Sequence, residues 1–179
     1  VIYKTGNNWE KLLHKVFNEY IKVKENVLFL QTVTPVTTLK LSETGRYSFY
    51  ANRYDFLRIA RSMLNDWQND TCEGKYLKTI FERKMRKDTP DKDFQQRLNK
   101  AKYPNKSFNS YGGYFHMGLF GTDKKRNIIG MDGFGGQMIW IDFDKGRIVV
   151  TNAIYNNYNW KRIVRDVIRK GKISSANWN

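Results

Sequence analysis

The sequence predicts an α+β domain, with helices first, an antiparallel meander after them and a helix to close. Three observations carry this. Apolar residues recur at helical spacing in the first half, at Trp9, Leu12, Leu13, Val16, Phe17 and Tyr20, and again at Phe56, Ile59, Ala60, Met63, Leu64 and Trp67. From Tyr111 onward, short β-branched and aromatic runs alternate with turn residues. A last amphipathic stretch carries Trp160, Ile163, Val164, Val167 and Ile168 behind Asn159.

Taken in order, Asn7 or Asn8 caps the first helix. Each residue of its stripe, fully buried, contributes about 1.5–3 kcal/mol, so the stripe reads as core. Val23 to Val36 reads as a short strand or extended connector that stops at Pro35, and Ser42 to Arg46 as a turn. Tyr47 to Tyr50 is extended. Asn52 caps the second helix, which the polar run Asn65 to Thr71 ends. A third helix spans Gly74 to Lys84, with Tyr76, Leu77, Ile80 and Phe81 together. Residues 84–109 are crowded with Lys, Arg, Asp, Gln and Asn and form an exposed basic excursion, with a short helix over Asp91 to Ala101. Strands follow at Gly113 to Phe120, at Ile128-Ile129 continuing through Gln137 to Ile141, and at Arg147 to Ala153. Turns at Thr122 to Asn127 and Asp142 to Gly146 separate them.

With 179 residues, 40% of them hydrophobic and 15% aromatic, the chain can bury a core as one domain over 1–179. That domain has a mainly helical part over 1–110 and strands plus a helix over 111–170. Cys72 is the single cysteine, so neither an intrachain disulfide nor a thiolate metal cluster can form. His14 and His116 are the only histidines and read as ordinary packed residues. No cofactor and no metal is expected. No apolar run approaches the roughly 18 residues of a membrane span, and no signal peptide is visible. The chain starts at Val1, as a processed, trimmed or partial chain would. The net charge of +15 fits an anionic partner or simply a solvated basic surface.

The segment Gly130-Met131-Asp132-Gly133-Phe134-Gly135-Gly136-Gln137 is dense in glycine and leads into the apolar run Met138 to Ile141. Such a segment is a bulge or a place where a ligand meets the main chain. It opens a strand, so it is not a dinucleotide fingerprint, which opens a helix. Asp142 to Gly146 lacks the distal glutamate of a calcium loop. Lys4-Thr5-Gly6 spells a motif of penicillin-recognising enzymes, but a helix follows it at once, where that motif needs a strand. Ser62, Ser107 and Ser110 are candidate nucleophiles by residue type alone.

In the last third, Tyr111-Gly112-Gly113-Tyr114, then Gly130 to Gln137, then Asp142 to Gly146, then Ile148-Val149-Val150-Thr151-Asn152 follow one another. This order resembles the end of the serine β-lactamase and penicillin-binding-protein family, in its class C and esterase-like branch. Upstream, Gly45 to Ala51 leads into a helix with Asp55, Leu57, Arg58 and Met63-Leu64-Asn65, similar to the family's turn and helix ending in Leu-Asn. The similarity covers most of residues 17–170.

The resemblance implies the C-terminal part of a β-lactamase-like fold and, in the complete protein, ester or amide hydrolysis through an acyl-enzyme. It implies no cofactor, a small ester or amide substrate, and a periplasmic or cell-envelope setting. Nucleic acid is not an expected partner; the missing N-terminal part of the same polypeptide is. The family's Ser-x-x-Lys nucleophile occurs nowhere in the chain. Tyr50-Ala51-Asn52 spells the second motif, although it sits where the family has a later turn. Met131-Asp132-Gly133 holds the Lys/His-Thr-Gly position. The amide of Phe134 would then join the oxyanion hole, where one such donor supplies roughly 3–4 kcal/mol in the transition state. Methionine is no cation. Asp132 would disfavour a substrate carboxylate by about 1 kcal/mol in water-like surroundings and about 4 at a semi-buried site. An ester or amide without a carboxylate is therefore the expected substrate. Two other readings stay open: a non-catalytic basic module that binds a polyanion through Lys84 to Lys106 and Lys161 to Lys172, and a catalytically dead relative.

Overall fold

The computed structural model describes residues 8–25, 27–32, 46–86, 108–119, 126–133, 136–153, 164 and 166–168. Its architecture is α+β, and the chain divides into two units, Val1–Ile59 and Ala60–Asn179, the division falling inside a helix.

In the first unit, the Asn8 side chain accepts the Lys11 N–H at 3.1 Å and caps α1 (Trp9–Leu13). The helix then continues π-wound from His14 to Tyr20, and the Ile21 N–H donates to the Val16 carbonyl, five residues back, at 3.0 Å. A π turn holds more residues than an α turn. The apolar stripe read at α spacing therefore drifts off one face, and Val16 and Tyr20 are exposed. Phe17 stays half-buried, its ring 5.3 Å from that of Phe49. β1 (Leu28–Thr32) pairs antiparallel with β2 (Arg46–Tyr50), Leu28 opposite Tyr50. α2 (Arg53–Gln68) starts at the predicted Asn52 cap.

In the second unit, α3 (Cys72–Glu82) begins two residues before the predicted Gly74, because the Thr71 hydroxyl caps it and accepts the Gly74 N–H at 3.1 Å. Trp67 stacks on Phe143 at 4.1 Å and meets Phe81 edge-on at 6.0 Å. The sheet has six strands, not the three expected. They are β3 (Met85–Arg86), β4 (Phe108–Gly112), β5 (Phe115–Leu119), β6 (Ile128–Gly133), β7 (Gln137–Asp142) and β8 (Arg147–Thr151), each antiparallel to the next in chain order.

Two turns account for two of the three additional strands; the third, β3, and the start of β4 at Phe108 are strand where an exposed excursion over 84–109 was expected. Gly113 and Tyr114, read as the start of a strand, form a two-residue hairpin turn with φ of +54° and +68°. This is the primed turn that matches strand twist, and it favours glycine or asparagine at both places. Tyr114 bears the left-handed strain on a side chain 91% exposed. Tyr114→Gly is expected to raise stability by about 1 kcal/mol, read from the denaturant midpoint. The glycine segment, read as lying within one continuing strand, is likewise a hairpin: β6 runs through Gly133, and Gln137 opens β7 opposite it.

Residues paired across an antiparallel sheet share a face. Tyr111, His116, Gly130, Trp140 and Val149 form one such row, and Ser110, Met117, Ile129, Ile141 and Ile148 another on the opposite face. The first face holds a core of Ile128, Met138, Trp140 and Val149 with Val164 and Ile168. Of the predicted final helix, 164 and 166–168 are helical; Asn159 and Trp160 lie outside the described residues. So do 87–107, most of the basic excursion and the helix expected within it, and the turn residues 120–125.

Candidate functional site

The described glycines around the turn between β6 and β7 stand in different surroundings. At Gly130 a Cβ would meet the Trp140 ring at 2.5–2.7 Å, so glycine there makes room for a fully buried indole. Gly133 ends β6, is exposed, and would place a Cβ 3.4 Å from the nearest atom, Gln137 Oε1, an ordinary contact. Gly136 turns the chain at φ +90°, and its N–H donates to the Gly133 carbonyl at 3.3 Å. On the β8 side the turn is tied down twice. The Thr151 hydroxyl donates to the Gly136 carbonyl at 3.2 Å, and the Gln137 side chain donates to the Ala153 carbonyl at 3.1 Å.

Met131 and Asp132 are neighbours on a strand and so point to opposite faces. Asp132 lies on the face of Gly130 and His116, and its Oδ1 is 2.7 Å from His116 Nε2. The His116 ring in turn lies 5.2 Å from that of Tyr111. The carboxylate of Asp132 thus meets an imidazole on the face of the sheet opposite Met131. His116 is also more than a packed residue; His14, by contrast, is exposed and 3.3 Å from Glu19. Phe134, whose amide is the expected oxyanion donor, lies outside the described residues, as do Gly135, Ser107 and Lys4-Thr5-Gly6.

Tyr50 and Asn52 belong to the first unit, Met131 to Gly133 to the second. Tyr50 is half-exposed at the end of β2. The Asn52 side chain is committed to local structure: its Oδ1 accepts the N–H groups of Tyr54 and Asp55 at 2.9 Å each, and its Nδ2 donates to Asp55 at 2.9 Å. Asp55 is 1% exposed and also accepts the Lys24 and Glu25 N–H groups, at 3.1 and 3.3 Å, and an Arg58 guanidinium N–H at 2.6 Å. Burial pushes its acidity down, but the Lys24 N–H, the Arg58 guanidinium and the Glu25 N–H outweigh it and hold the pKa below the ordinary value. Asp55 therefore stabilises the fold above the unfolded carboxylate pKa of about 3.9. That stabilisation is lost as pH falls through the lowered folded value. Protection of the Lys24 and Glu25 amides against exchange is expected to fall as pH drops through the lowered folded value of Asp55, below the ordinary carboxylate range; in Asp55→Asn protection should be low at neutral pH and show no such acid limb.

Ser110 is buried, and the Ser62 hydroxyl lies 3.5 Å from Asp66. Asp142 is fully buried in its turn, where its Oδ1 accepts the Asp144 and Lys145 N–H groups at 3.2 and 3.1 Å and Arg126 donates to its Oδ2. That use fits the hairpin reading of Asp142 to Gly146. Among the described residues no group of three His, Cys, Asp or Glu side chains is placed to hold a metal ion. No helix among them is long and apolar enough to cross a membrane. Lys84, first of the basic excursion, is turned inward. Its ammonium sits 3.9 Å over the Phe81 ring and donates to the Phe81 carbonyl at 2.9 Å, and burial pushes its pKa down against the opposing charge of Glu82.

His116 and Asp132 were not legible as a pair, being sixteen residues apart with a register between them. The signal available was a histidine two residues past a two-residue hairpin turn, facing an aspartate near the end of the next strand. No family model, no curated protein and no solved structure matches the chain.

Proposed function

We propose that the chain is the C-terminal part of a β-lactamase-like serine hydrolase, cleaving an ester or amide through an acyl-enzyme in the complete polypeptide. The observation that carries this reading is the contrast between Gly130 and Gly133. Gly130 is demanded by the Trp140 ring, whereas nothing in the packing demands glycine at Gly133, which is exposed at the end of β6. A glycine without a structural task, beside a main-chain N–H expected to face substrate, fits close approach by a ligand. The antiparallel order of strands around the turn and the helices before it support the same reading.

The catalytic contribution proposed for this chain is a main-chain donor at Phe134 for the oxyanion of the acyl-transfer intermediates. Met131 supplies no cation for a substrate carboxylate. The complete polypeptide is therefore expected to hydrolyse a short-chain aryl ester faster than a chromogenic cephalosporin; the reverse order contradicts this substrate class.

Gly133→Ala is expected to leave the denaturant midpoint within about 0.5 kcal/mol of wild type. In the same variant, acyl transfer by the complete polypeptide should fall at least about tenfold. Gly130→Ala, by contrast, overpacks the core and is expected to cost about 2–3 kcal/mol of stability. If Gly133→Ala retains full activity, the turn has no substrate-facing role.

A further inference from the structure

We propose that His116 is a positioning residue for the end of β6 at Gly133, acting through Asp132. The inference rests on the oxyanion reading for its functional meaning, but its structural content stands separately. Pairing of β5 with β6 consists of His116 with Gly130 and Met117 with Ile129. In that register the residue opposite Asp132 is Tyr114, which belongs to the hairpin turn and carries a positive φ. Beyond Gly130, therefore, β6 has left the recorded ladder with β5 while it continues to pair with β7 as far as Gly133 and Gln137.

The His116 side chain reaches diagonally across this gap, a geometry open to long side chains on one sheet face. The imidazole Nε2–H donates to Asp132 Oδ1 over 2.7 Å. That donor exists in the neutral Nε2–H tautomer as well as in the imidazolium, so the tie needs no positive charge. The Tyr111 ring flanks the imidazole from β4. The side chains of His116 and Asp132 are 13% and 36% exposed, so the bond is shielded from competing water on the histidine side.

The turn is thus held from both flanks. Thr151 and Gln137 fix it on the β8 side, and His116 fixes its entry on the β5 side through Asp132. A main-chain donor can stabilise an oxyanion only if it does not have to reorganise during the reaction. The aspartate in the motif then has a use: it lies on the face away from Met131, where it serves as the handle by which β5 holds the strand end.

The test is amide hydrogen exchange on the uniformly labelled 179-residue chain, comparing His116→Leu, Asp132→Ala, the double variant and His116→Gln. Gly133 and Gly136 report on the turn; Ile139 and Ile141, in the middle of β7, report on the sheet. Loss of a hydrogen bond to a charged group predicts exchange at the turn about tenfold faster in each single variant, and no faster in the double. His116→Gln keeps an N–H donor and is expected to restore most of the protection. Ile139 and Ile141 should be unchanged in all four. A change below about twofold at the turn, additive effects in the double variant, or equal acceleration at Ile139 and Ile141 would each overturn the positioning role. Because exchange is read without any substrate, a slow-exchanging turn in a polypeptide with no esterase activity refutes the hydrolase reading alone.

Discussion

Gly74→Ala is expected to destabilise the second unit more than any other single-methyl addition in the described residues. A Cβ there would stand 1.9 Å from the Asp66 carbonyl oxygen and 2.4 Å from its carbon. Both are backbone atoms of α2, so no side chain can rotate aside. The corner between α2 and α3 is built around this contact. The Thr71 hydroxyl donates to Asp66 Oδ1 at 3.0 Å and accepts the Gly74 N–H, and the Thr71 N–H donates to the Asp66 carbonyl at 3.3 Å. Separating the helices to admit a methyl group would break this set together. The expected cost is about 3 kcal/mol or more, at the upper end of overpacking effects. Chemical denaturation checks it, and the neighbouring Lys75→Ala, on an exposed position, should shift the midpoint little.

Asp142→Ala should cost about as much for a different reason. Asp142 is fully buried, with one oxygen taking two turn N–H groups and the other an Arg126 guanidinium. Arg126 also donates to the Ile168 carbonyl at 3.0 Å, and Arg147 to the same oxygen at 2.8 Å. Two guanidinium groups at the carbonyl of a helical residue complement its partial negative charge. Removing the carboxylate takes the Asp142 partner from the largely buried Arg126 guanidinium and frees two N–H groups. The expected loss is about 3–5 kcal/mol. Replacing both partners, as in Arg126→Met with Asp142→Leu, should recover a substantial part of it, because the desolvation cost of both charges disappears. Equal losses in the single and double variants would show that the turn bonds, not the ion pair, carry the effect.

The parts of the fold legible in the sequence are those set by local chemistry. α2 and α3 follow from apolar spacing, and Asn8 and Asn52 cap where their side-chain oxygens predicted. The last two strands follow from β-branched runs around the Asp142 to Gly146 turn. The parts that were not legible depend on partners distant in the chain. Tyr114 is a poor signal for a primed turn, so the strand expectation starts at Gly113, and Phe108 and Asn109 of β4 fall within the expected excursion. The π winding after Leu13 leaves no compositional mark, so Val16 and Tyr20 were assigned to the core and are exposed. At the candidate site, residue type marked the glycine segment as unusual but not as a turn, and strand alternation decided what Asp132 does. A carboxylate adjacent to Met131 in sequence is on the far face of the sheet in space.

Covalent trapping tests the central proposal most directly. The 179-residue chain and the complete natural polypeptide would each be treated with an aryl phosphonate ester, which captures an activated serine, and the adduct located by mass spectrometry. The account predicts no adduct on the 179-residue chain and one adduct on the complete polypeptide, at the serine of a Ser-x-x-Lys motif outside residues 1–179. An adduct on Ser62, Ser107 or Ser110, or no adduct on either species, would contradict it.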